Sequence, residues 1–63
     1  MTRAEERRLV AALRKRKRVY ERRAQEAFDA GRTSIVNVFN GRRDGLFEAI
    51  GIVEELAEKG RRG

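Results

Sequence analysis

An all-α domain is predicted by three observations. Proline is absent, and apolar residues recur at three- and four-residue spacing almost throughout. The one stretch that also reads as a strand, Ile35 to Phe39, has no second strand to pair with. Four helices around one small core are expected. At 63 residues the chain makes a single domain, and a domain of this size buries only about 60% of its unfolded surface. Dimerisation or a ligand is therefore expected to supplement the core.

The first helix is expected over residues 1–17. Thr2-Arg3-Ala4-Glu5 has the spacing of a capping box, in which Thr2 and Glu5 satisfy each other's backbone amides. At about 100° per residue, Leu9, Leu13, Tyr20, Ala24 and Ala27 fall in one sector, with Val10 and Phe28 flanking it. Arg7, Arg14, Arg18 and Arg22 lie opposite, joined by Arg8 and Lys15. No helix breaker occurs in Arg14–Arg18, so one helix from Thr2 to Asp29 satisfies local propensity. Arg16 and Lys17, however, interrupt the apolar sector. A corner near Lys17 to Val19, with a second helix over 19–29, is the preferred reading; a straight rod implies an elongated dimer.

Ala30-Gly31-Arg32 is the next break, with Gly31 free to adopt positive φ. A short helix over 33–40 follows, with Thr33 or Ser34 as N-cap and Gly41 as C-terminal stop. Ile35, Val38 and Phe39 then form one apolar stripe. Residues 41–45 are a loop by composition. A last helix over 45–59, capped by Asp44, carries Leu46, Ala49, Ile50, Val53, Leu56 and Ala57. Phe47 and Ile52 widen its apolar arc beyond what one core face needs. A homodimer interface of Phe47, Ile50, Ile52, Val53 and Leu56 is expected there.

Charge narrows the function. The chain has 16 Lys and Arg against 10 Asp and Glu, a net of +6. Residues 1–32 hold 11 basic and 5 acidic side chains, and residues 33–63 hold five of each. A basic excess gathered on one part is the footprint of a polyanion binder. With no Cys and no His, disulfides, thiolate and imidazole metal sites and the usual catalytic base are excluded. The paired carboxylates Glu5–Glu6 and Glu54–Glu55 point apart on a helix, and no nucleophile–base set or phosphate-cradling loop occurs. Neither an enzyme nor a cofactor nor a small-molecule substrate is expected. No apolar run approaches the roughly 20 residues of a membrane span, and no signal peptide is evident, so a cytoplasmic protein is expected, nucleoid-associated if bacterial or phage.

The segment Val19 to Leu56 resembles a helix-turn-helix domain of the phage Cro and repressor type, and also the lac-repressor-type motif. The likeness rests on Val19-Tyr20-Glu21-Arg22-Arg23-Ala24, the Ala30-Gly31-Arg32 turn, and Ile35-Val36-Asn37-Val38-Phe39-Asn40-Gly41-Arg42-Arg43. Ile52-Val53-Glu54-Glu55-Leu56 is similar to the closing helix of both families. Phe28 stands where those families place a glycine, and Gly31 comes later, which alters the turn. The resemblance implies a four-helix helix-turn-helix fold and a sequence-specific regulator of transcription that binds double-stranded DNA. It further implies that Arg32, Thr33, Val36 and Asn37 face base edges, with Asn37 positioned for adenine and Val36 for a thymine methyl. Arg14, Arg18, Arg22, Asn40, Arg42 and Arg43 would hold phosphates. One rival expectation is a non-specific or RNA-binding basic helical protein; the other is a small protein-interaction module, an inhibitor or adaptor. It would dock through the apolar C-terminal helix and grip an acidic surface with the basic face.

Overall fold

A computed structural model describes residues 1–62. It contains two helices, α1 (Arg3–Asp29) and α2 (Thr33–Arg62), folded into an antiparallel hairpin 49 × 15 × 9 Å in extent. All-α character is present, but the four-helix helix-turn-helix architecture is not. The corner near Lys17, the separate helices over 1–17 and 19–29, and the stop at Gly41 are all replaced by continuous helix.

The reason lies in a spacing finer than helix periodicity. On α1 the buried and half-buried positions are Glu6, Val10, Leu13, Lys17, Tyr20, Ala24 and Ala27, apart from Val19 at the edge. On α2 they include Val36, Phe39, Arg43, Leu46, Ile50, Val53 and Ala57, with Asn40 and Ala49 beside them. Both sets alternate steps of three and four, the seven-residue repeat that keeps one seam facing a partner helix over many turns. Lys17 is thus a seam residue, not an interruption. Its amine pairs with Glu21 at 3.6 Å and lies 5.7 Å from the Phe47 ring centre, so the stem packs while the charge reaches water. Arg43 is likewise a charged seam residue, on α2, and bonds Asp44 at 3.0 Å; because helix continues through 41–45, Asp44 has no helix start to cap.

Alanines at 24, 27 and 57 bring the backbones close near both ends of the seam. Val10 and Ile50 supply the larger buried side chains, each contributing about 1.5–3 kcal/mol when fully buried. Tyr20 and Phe39 stack in the half of the hairpin nearer the turn, with centroids 6.0 Å apart. At the open end Arg61 joins Glu6 at 2.6 Å, a partly exposed bridge of roughly 0.2–1 kcal/mol.

The turn follows from Gly31. Its φ of 74° lets the Arg32 amide bond the Ala27 carbonyl at 2.8 Å and the Gly31 amide bond Phe28 at 3.0 Å, the paired bonds of a Schellman ending. The Arg32 carbonyl then accepts from Ile35 and Val36, so α2 starts at once and folds back. A helix-turn-helix needs its two helices steeply crossed, and this ending instead sets them side by side.

Gly41 sits opposite the seam, inside α2, and a Cβ added there meets nothing within 4 Å. Gly41→Ala is accordingly expected to raise stability by about 0.5–1 kcal/mol, read as an increase in thermal midpoint. A fall in midpoint would instead mark Gly41 as a left-handed helix end.

At the start of α1 the expected capping box is formed. The Glu5 amide donates to the Thr2 hydroxyl at 3.1 Å, and the Thr2 amide donates to the Glu5 carboxylate at 2.9 Å. The Thr2 amide, followed by its hydroxyl, holds the Glu5 carboxyl below the ordinary glutamate value. A depressed folded-state pKa stabilises at all pH above the unfolded value and is lost as pH falls through the folded one. The first turn is therefore expected to fray on acidification, with the Thr2 amide shift in NMR following Glu5 protonation. A Thr2 shift indifferent to acid pH would contradict this.

Candidate nucleic-acid interface

Because the helices run antiparallel, the residue following each seam position points to the same side of the hairpin on both of them. That side carries Arg7, Ala11, Arg14 and Arg18 from α1 and Asn40, Phe47, Gly51 and Glu54 from α2. These residues line a chain of shallow grooves. The largest, about 720 Å³, is bordered by Arg3, Arg7, Arg14, Arg18 and Arg61 with Glu6 and Glu54. It continues past Phe47 through a second groove that shares Arg14, Arg18 and Glu54. A third, near the turn, is bordered by Gln25, Phe28, Val36, Asn40 and Arg43.

The cations divide sharply between the helices. Among the described residues, Arg43, Lys59, Arg61 and Arg62 each hold an ion pair, leaving Arg42 as the one α2 cation without one. On α1 only Lys17 does. Arg14, Lys15, Arg18 and Arg22 are exposed and form no ion pair among the described residues, on the outer and grooved sides of one rigid helix. At 1.5 Å rise per residue they span about 12 Å. Arg7 and Arg8 extend the ridge toward the N-terminus, their Nε atoms donating at 3.4 and 3.5 Å to the Arg3 and Ala4 carbonyls.

The remaining expected contact residues are dispersed. Arg42 lies over the Tyr20 ring, its guanidinium carbon 5.8 Å from the centroid. Arg43 is bound to Asp44, and Asn40 is half-buried at the groove beside the turn. Of the expected base readers, Val36 faces the seam, half-buried. Arg32, Thr33 and Asn37 are exposed at the hairpin tip. Asn37 lies about 18 Å along the axis from Arg14. No separate short helix presents these four together.

Arg3, Arg61 and Glu54 enter the groove without having been singled out from the sequence. For Glu54 and Arg61 the signal available was the seven-residue repeat itself, which places residues after seam positions on one side, whereas Arg3 stands one three-residue step before Glu6 on the seam's own register. Comparison with protein-family models, curated proteins and solved structures finds no match to this chain. No described helix is long and apolar enough to cross a membrane, and the described residues contain no cluster of three or more potential metal ligands of the Asp, Glu, His and Cys kinds.

Proposed function

We propose that this chain binds double-stranded DNA through the basic ridge of α1, by contacts to phosphates. The observation that carries the reading is the unbalanced charge of Arg14, Lys15, Arg18 and Arg22 beside an α2 whose basic side chains are mostly paired within the chain. Exposed arginines with no ion pair among the described residues meet phosphates without first giving up a partner, and a duplex offers one charge per about 1.7 Å of axis. Arginine also offers a planar fork to phosphate oxygens. Because Val36 is turned inward, binding with little discrimination between base sequences is favoured. Occupying a stretch of DNA against another protein is the regulatory role such binding supports.

The test is a titration of a labelled duplex at several salt concentrations. Four phosphate contacts predict a slope of about −3.6 for log affinity against log salt. Absence of binding at 50 mM salt, or binding with no salt slope, would overturn the proposal.

A further inference from the structure

The residue preceding each seam position points to the opposite side of the hairpin, away from the grooves. There Leu9, Ile35, Val38, Ile52 and Leu56 stand 37–59% exposed. They account for most of the large apolar side chains the hairpin leaves in water; Phe28 and Phe47 belong to the grooved side and Met1 to the chain end. The α2 members continue the seam's own alternation, 35, 38, 49, 52 and 56 being steps of one seven-residue pattern. Arg42 and Gly45 fill its intermediate positions.

We propose that this face is covered by a second copy of the chain, giving a symmetric four-helix bundle. The surface area points to that occupant. The chain exposes 5045 Å², whereas a compact monomer of 7.3 kDa exposes roughly 4,200 Å². The excess is close to the about 800 Å² that each partner buries in a standard stable interface. The core needs the addition: among the described residues no side chain is fully buried in the single hairpin. A face built on the seam's repeat also matches itself, as a two-fold interface requires. Arg16 and Arg23 share this side on α1, and their long stems pack while the guanidinium groups reach the rim. Arg42 already rests on Tyr20. Ridge residues Arg14, Lys15, Arg18 and Arg22 point elsewhere, so the assembly neither needs nor blocks DNA.

Sedimentation equilibrium of the full chain at 10 and 100 μM, without nucleic acid, tests this independently of DNA binding. The expected mass is twice 7.3 kDa, with a thermal midpoint that rises with protein concentration. Ile52→Glu with Leu56→Glu is expected to weaken association at least a hundredfold, giving a monomer or an unfolded chain. Phe47→Glu, on the grooved side, is expected to leave the dimer intact. A wild-type monomer at 100 μM with a concentration-independent midpoint would overturn the proposal. So would dissociation by Phe47→Glu alone, or a monomer that instead adsorbs to vesicles of anionic lipid.

Discussion

Replacing Arg14, Arg18 and Arg22 together by alanine is expected to lower duplex affinity at 50 mM salt by roughly two to three orders of magnitude. Each phosphate contact adds about 0.9 to the salt slope, which at this ionic strength is worth on the order of tenfold in affinity. The triple variant should therefore also flatten the slope by about 2.7. All three side chains are exposed and make no ion pair among the described residues, and alanine is a better helix former than arginine. Circular dichroism and thermal midpoint should be unchanged or slightly raised, which separates lost binding from lost fold. Lysine at the same three positions should recover most of the affinity, because a phosphate accepts a point charge. Arg43→Ala should have a much smaller effect, since Arg43 is already committed to Asp44. Full affinity in the triple alanine variant would place the polyanion site elsewhere.

Ile50→Asp should abolish cooperative folding. Ile50 is 6% exposed at the seam, and truncating a buried isoleucine alone costs about 2–5 kcal/mol. Burying a carboxylate there adds a desolvation cost, which Arg14, Lys17 and Arg18 of the adjoining groove offset only in part. Stability of small domains is only about 5–15 kcal/mol, and a two-helix hairpin has little reserve. Isolated helices retain fluctuating helicity, so the decisive readout is loss of a sigmoidal thermal transition. Phe47→Asp, three residues earlier and 68% exposed, should keep the transition. The sequence placed both residues, with Val53, in one dimer interface. Ile50 and Val53 instead face α1, and Phe47 faces the groove beside Lys17. A sigmoidal transition preserved in Ile50→Asp would mean that the seam is not the core.

Helical character, the Thr2–Glu5 box and the break at Ala30–Arg32 were legible locally. Each depends on residues within a few positions of one another. The basic excess of the first half was equally plain, because charge is additive and needs no fold. Whether Lys17 bends the chain or Gly41 ends a helix is not a local question. Asn40-Gly41 has the chemistry of a helix exit, and it fails to act as one because the seam from Val36 to Ala57 gains packing on both sides of it. Glycine's propensity cost of about 1 kcal/mol is smaller than that gain. Likewise, Lys17 looks like an interruption until its amine is seen over the Phe47 ring.

By itself, then, the sequence determined an all-helical, strongly basic chain with a turn at Gly31, to which it added a corner near Lys17 and a loop over 41–45 that the fold does not contain. Only the tertiary structure decided that the described residues form two helices, that Val36, Ile50 and Val53 face inward, and that the ridge of Arg14, Lys15, Arg18 and Arg22 and most of the exposed apolar side chains occupy different sides. The physical reason is that periodicity defines a stripe around one helix but not the direction from which its partner approaches. The Schellman ending at Gly31 sets that direction, and with it the face on which every other side chain stands.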